Sequence, residues 1–184
     1  MNKLLTVFVF SLAVLTHGAA DDAANAVSVI LNNFGASKYS AGAIPKADLD
    51  RIIAAGVRAP SARNRQPWRF TVVSTPSLAE KIIGGVMDGN VLVVVSTDSD
   101  SPDKILDCAL AVENIYLAAQ ALGYGSRIYT GPVNNINRSL KKELGIPQEH
   151  SAVSVVRLGR LAPNVDAVSS ASPRKPVDSI VTYK

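Results

Sequence analysis

The 184-residue chain is predicted to fold as one domain of mixed helix and strand, ending in an arm that cannot bury itself. Three observations predict this. Helical stripes and β-branched runs take turns along the chain. Asn90 to Ser96 (NVLVVVS) is a continuous apolar run, the mark of a strand buried on both faces. From Gly159 onward the texture shifts to prolines, serines and scattered apolar residues.

The first twenty residues are read apart from the fold. Lys3, an apolar run from Leu4 to Leu15 and the small residues Gly18-Ala19-Ala20 have the layout of a secretory signal. The run is shorter than the roughly 18 residues of a membrane span. The alternative is an uncleaved anchor. Residues 1–20 are therefore assigned as a signal peptide and 21–184 as the domain. Export, to the periplasm in a bacterial cell, is expected, with no stable membrane insertion after cleavage.

Within the domain, Ala23 to Asn33 has helical period. FGASKYSAGAI breaks it. A helix is predicted from Lys46 to about Arg58, with Pro45 ahead of it and Leu49, Ile52, Ile53 and Val57 in one stripe. Arg69 to Ser74 reads as a strand, Pro76 to Gly84 as a short helix, and Asn90 to Ser96 as the buried strand. The longest helix is predicted over Asp103 to Leu122, with a core face of Ile105, Leu106, Ala109, Val112, Ile115, Tyr116, Ala119 and Leu122. Alanines 111, 118 and 121 make it apolar nearly all round, so a second subunit can cover one side. SRIYTG is a strand or loop, Asn135 to Leu144 a helix, and Ala152 to Leu158 a strand. In the tail, IVTY can add one more strand.

Composition narrows the chemistry. There are 19 basic and 15 acidic residues; cleavage removes Lys3 and leaves a net charge of about +3. No aromatic residues are interleaved with a basic stripe, which argues against nucleic acid. Cys108 is the only cysteine, so no intramolecular disulfide holds the fold. It lies in an apolar helical run and reads as a buried, inert thiol. His150 is the only histidine outside the signal, which argues against a zinc site and a Ser-His-Asp triad. GYGSR follows a helix, the wrong order for a Rossmann turn. Glu113, in the long helix, is either a buried functional carboxylate or part of a polar rim.

Arg58 to Phe70 reads RAPSARNRQPWRF. Pro60 and Pro67 restrict its backbone, so little ordering entropy remains to be lost on binding. Ser61, Asn64 and Gln66 crowd donors and acceptors between them, and arginines suit phosphate or carboxylate. Trp68 can pin the loop to the core. Two readings stand: a binding loop, or a structural loop with solvated arginines. The close recurrence of amides and prolines before a buried strand favours binding. With no nucleophile, base pair or metal set elsewhere, such a protein would take its chemistry from a cofactor.

APSARNRQPWRFTVV resembles the flavin-contacting segment of the nitroreductase family, usually A-P-S-x-x-N-x-Q-P-W-x-F; Pro60, Ser61, Asn64, Gln66, Pro67, Trp68 and Phe70 match. IPKADLDRIIAAGVRAPS resembles the helix before it, DCALAVENIYLAAQALGYGSRI the family's dimer helix, and PRKPVDSIV its final phosphate-contacting stretch. The likeness covers most of residues 23–184.

The resemblance implies an α+β fold: a three-layer sandwich, its central, mostly antiparallel sheet flanked by helices, with an extended C-terminal arm. It implies FMN bound at a homodimer interface and electrons passed from a small-molecule donor such as NAD(P)H to a nitroaromatic, quinone or similar acceptor. By residue it implies cofactor contacts from Ser61, Asn64, Gln66 and Arg174, with Gly131 a looser match; Arg63, also a candidate contact, falls where the family usually has a small residue. The family's opening R-R-S-x-R motif, which grips the phosphate, is replaced by Phe34-Gly35-Ala36-Ser37-Lys38-Tyr39. Lys38, Arg63 and Arg65 are the candidate substitutes. The other reading is a degenerate member that binds a flavin or another planar anion without turnover.

Overall fold

A computed structural model of the chain describes residues 26–164 and 173–184; the assigned signal lies outside them. Five strands form one antiparallel sheet: β1 (Tyr39–Ser40), β2 (Trp68–Val73), β3 (Val91–Thr97), β4 (Gly125–Tyr129) and β5 (Ser151–Leu161). β5 is the hub. It pairs with β3 from Leu158↔Val91 to Ser151↔Thr97, with β4 around Arg157↔Arg127, and with β1 at Leu161↔Tyr39. β2 lies outside β3.

Helices cover both faces. β3 is buried along its whole length, and its alternate side chains enter different cores. Val91, Val93 and Val95 meet Ile52 of α1 (Lys46–Val57) and Cys108, Val112 and Ile115 of α3 (Pro102–Ala121). Leu92 and Val94 meet Ala79 and Ile82 of α2 (Pro76–Ile82), together with Ile136, Leu140 and Leu144. These are the three layers the resemblance implies.

Gly56 sets how closely α1 and α3 pack. A Cβ there would stand 2.6 Å from Cγ1 of Ile115, inside the range real contacts allow. Asn114 of α3 also donates to the Ala55 carbonyl, 3.0 Å away.

Three expectations need correction. Ile105 and Leu106 do not face the core: they are 42% and 61% exposed, and Ala109 is exposed too. The core face of α3 is Cys108, Ala111, Val112, Ile115, Tyr116 and Ala119. The predicted helix over 135–144 is a single turn, α4 (Val133–Asn135), widened into a π-helical turn over Ile136–Leu140. IVTY adds no strand; Val177–Ser179 form a 3₁₀ turn, and the rest of the described arm is irregular and exposed.

Candidate functional site

The loop between α1 and β2 is short, polar and strained. Its middle, Ala62–Asn64, is a 3₁₀ turn. Arg63, Asn64 and Gln66 all have positive φ, at 55°, 54° and 49°. Asn tolerates that region; Arg and Gln pay for their Cβ with roughly 1–2 kcal/mol each. Strain of this kind persists only where the surroundings impose it, and it concentrates at binding sites.

Three contacts impose it. Asp107 of α3, 4% exposed, accepts the Ala62 N–H at 3.0 Å through Oδ1. Ser61 Oγ accepts the Gln66 N–H at 3.0 Å. The Gln66 side-chain NH2 donates to Asn64 Oδ1 at 3.1 Å. These bonds use one end of each amide. Asn64 Nδ2, Gln66 Oε1 and the Ser61 hydroxyl proton remain to meet a ligand, and Asn64 and Gln66 lie at the surface. Trp68 and Phe70, parallel with centroids 6.5 Å apart, pack on the core cluster and hold the end of the loop.

A cleft of about 450 Å³ opens beside the loop, between Arg65–Arg69, Asp98, Lys104 and His150. Lys104 lies 2.9 Å from Asp98 and holds that carboxyl below its usual range. Arg65 is 3.4 Å from Asp103. Arg65 thus has a carboxylate partner of its own and is poorly placed as a phosphate substitute. Arg63 is exposed and makes no hydrogen bond or ion pair among the described residues.

Ser61, Arg63, Asn64 and Gln66 are therefore brought together, while the other two predicted residues lie elsewhere. Gly131 is exposed in the turn after β4, with nothing within 4 Å of where a Cβ would stand. Arg174 is on the arm, and its charge acts on the Tyr116 phenol, whose pKa is raised chiefly by burial. Tyr116 and Glu113 line a second cavity of about 530 Å³ with Asn33, Gly35, Ser37, Arg127 and Ile128. Desolvation raises the Glu113 carboxyl, but the residue is exposed at the rim of this cavity, which corrects the reading of a buried carboxylate. Cys108 is fully buried, and burial pushes its thiol up to about 11, as an inert thiol requires.

Sequence reasoning missed Asp107 and Arg127. Both sit in segments that read as plain helix and strand. The one available signal was a carboxylate one residue from Cys108, inside an apolar run.

Fold and loop together define a class: an antiparallel sheet between helical layers, with an amide-rich loop between α1 and β2. The chain belongs to the nitroreductase family, whose model matches residues 36–90 and 84–160. It is 37% identical over 134 residues to a protein of Archaeoglobus fulgidus provisionally named NADH dehydrogenase/NAD(P)H nitroreductase, covering 66% of this chain and 76% of that one. A protein of Methanothermobacter thermautotrophicus with the same provisional name is 35% identical over 140 residues, covering 69% and 72%. Among solved structures, a nitroreductase with bound FMN from Desulfitobacterium hafniense superposes with a TM-score of 0.74 at 22% identity, over 87% of this chain and 98% of that one. One from Parabacteroides distasonis, bearing the same provisional name as the archaeal relatives, gives 0.73 at 26% identity, over 86% and 98%.

Proposed function

We propose that this protein is an FMN-dependent oxidoreductase of the nitroreductase type, working as a homodimer. The observation that carries the reading is the 61–66 loop: left-handed backbone at non-glycine residues, held by a buried carboxylate, with amide and hydroxyl groups open to a ligand. The residues present fit the cofactor. Asn64 Nδ2 and Gln66 Oε1 offer a donor and an acceptor to a ring edge that carries both.

Bound FMN would supply two-electron redox chemistry. The chain's own residues bind and orient. Ser61, Asn64 and Gln66 would fix the ring edge. The Asp107–Ala62 bond would keep them in register, so little ordering is needed on binding. Gly131, lacking a side chain, leaves its backbone approachable in the turn after β4. No side chain needs to act as nucleophile. The electron donor is proposed as NAD(P)H and the acceptors as nitroaromatics or quinones, in line with the names of the archaeal relatives.

The dimer is supported by α3. Leu106, Ala109, Leu110, Glu113 and Leu117 follow helical spacing, and the stripe is exposed at Leu106 (61%) and Leu110 (38%). Asp107, which holds the loop, and Tyr116, which lines the second cavity, are nine residues apart. That is about two and a half turns, so they face opposite sides of α3. The apolar stripe lies between them, and a second copy seated on it would adjoin both. Export is proposed from residues 1–20 alone.

Flavin titration and light scattering test this. Purified protein should take up FMN stoichiometrically, elute at twice the chain mass and oxidise NAD(P)H when a quinone is added. A monomer that binds no flavin refutes the reading. The second reading, binding without turnover, is favoured by the 34–39 stretch, which carries no arginine where the resemblance implies a phosphate-gripping motif. Flavin uptake with no NAD(P)H oxidation by any acceptor would select it. Protein recovered from outside the cytoplasm should begin at Asp21; a full-length chain there refutes cleavage.

A further inference from the structure

Resting on the flavin reading, we propose that the cleft between the start of β2, the first turn of α3 and His150 seats the electron donor's diphosphate, with Arg69 as its principal contact.

The cleft lies where three strands begin or end. β2 starts at Trp68, β3 finishes opposite it at Thr97, and β5 starts at Ser151, opposite Thr97 on the other side. Arg69, Asp98 and His150 are therefore carried to one end of the sheet, and Lys104 reaches them from the first turn of α3.

The lining carries Arg65, Arg69 and Lys104 against one carboxylate, Asp98. Two of these cations are offset. Lys104 lies 2.9 Å from Asp98, and Arg65 lies 3.4 Å from Asp103, which stands outside the lining. Asp107, one turn beyond Lys104, is directed at the Ala62 N–H and does not line the cleft. Arg69 is exposed, and its side chain makes no hydrogen bond or ion pair among the described residues. The uncompensated charge is thus a guanidinium, whose planar fork suits two phosphate oxygens. His150 adds a second donor. Neither nitrogen of its ring has a hydrogen-bond partner among the described residues, and Nδ1 is buried. A protein seldom leaves a buried polar atom in that state. Held by packing alone, the ring can turn an N–H toward an oxygen that enters the cleft.

Size and position then select the anion. The cleft measures about 450 Å³, within the range of small-molecule sites and more than a lone inorganic ion fills. Pro67 and Trp68 give it an apolar wall for a sugar or a base. Gln66 belongs both to this lining and to the amide group of the 61–66 loop. A ligand in the cleft is therefore one side chain away from the ring that the loop is proposed to hold. A nicotinamide dinucleotide has the matching build: a hydride-bearing ring that must reach the flavin, joined through ribose to a charged diphosphate.

The test compares two electron donors on the purified, FMN-loaded protein: NADH, and N-benzyl dihydronicotinamide, which carries the same hydride donor and no phosphate. Arg69→Ala should raise KM for NADH relative to KM for the neutral donor by about tenfold to a hundredfold. Arg69→Lys, which keeps the charge, should recover part of that loss, and circular dichroism checks that both variants fold. An unchanged ratio in folded variants overturns the assignment. ADP-ribose, which carries the diphosphate without nicotinamide, separates this inference from the flavin reading. In calorimetric titration it should bind the wild type and bind Arg69→Ala more weakly by about the same factor. If the protein takes up no flavin but binds ADP-ribose in this Arg69-dependent way, the flavin reading falls and the cleft stands. If flavin binds while ADP-ribose binds both proteins alike, or neither, the cleft falls alone. Inorganic phosphate binding as tightly as ADP-ribose also overturns it, because the site would then read a simple anion and not a donor.

Discussion

Asp107→Ala should both destabilise the protein and loosen its hold on flavin. Asp107 Oδ1 is the acceptor for the Ala62 N–H at 3.0 Å, in a site where the carboxylate is 4% exposed. A hydrogen bond to a charged group contributes about 1.5–3 kcal/mol. The left-handed conformations at Arg63 and Gln66 oppose it with roughly 2–4 kcal/mol between them. The Ser61–Gln66 bond adds only about 0.5–1.5 kcal/mol. The loop is thus near balance, and Asp107 decides it. Its loss should lower the melting temperature by about 3–12 °C for a domain of this size. Flavin affinity should fall as well, because the loop must then be ordered at the ligand's expense. Asp107→Asn is the discriminating control. It keeps an acceptor for Ala62 and removes a buried charge whose Oδ2 has no partner, so it should stay within about 1 kcal/mol of wild type. Differential scanning calorimetry and flavin titration read both effects. If Asn is as damaging as Ala, charge rather than the Ala62 bond is what matters; if Ala is harmless, the loop is not held from α3.

Other outcomes follow from the same contacts. Leu106→Glu puts a charge on the exposed stripe of α3 and should give a folded monomer by light scattering with weakened flavin uptake; a dimer that persists would move the interface elsewhere. Asn64→Ala should cost more flavin affinity than Arg65→Ala, because Arg65 is engaged by Asp103; equal losses would show the amide is not a ligand. Stability should fall as pH rises from 9.0 to about 11, because the unfolded Cys108 thiol ionises at the lower value and the buried one at the higher. The Cys108 share is on the order of 2–3 kcal/mol. Cys108→Ala should flatten the urea-midpoint curve over that window, leaving a residual slope from Tyr39, Tyr116 and Tyr124, all raised in the fold; an unaltered slope refutes the assignment.

The elements most legible in the sequence were those whose burial is local and one-sided. α1 matched its predicted stripe at Leu49, Ile52 and Ile53, which pack on the core, but not at its last residue, Val57, which is 46% exposed. β3 was readable because both of its faces enter a core. The face of α3 was not, because an exposed Leu at helical spacing has the same period as a buried one. Leu106 and Ile105 therefore read as core. The 135–144 segment keeps helical spacing at Ile136, Leu140 and Leu144, and these three do enter the core. What changed is the winding, which side-chain pattern does not encode. At the candidate site, APSxxNxQPW singled out the loop but not its backbone, since Arg63 and Gln66 carry no sign of positive φ. The pairing of Arg127 with Arg157 was hidden because the two are thirty residues apart and opposite only once the sheet has formed.

The place of β5 also has a temporal consequence. β1, β3 and β4 all pair with a strand that begins at residue 151 of 184, so a ribosome must complete most of the polypeptide before these partners have anything to join. Long-range pairing of this kind is slow. Until that final fifth emerges, β2 and β3 can pair with each other but the sheet has no hub to close on.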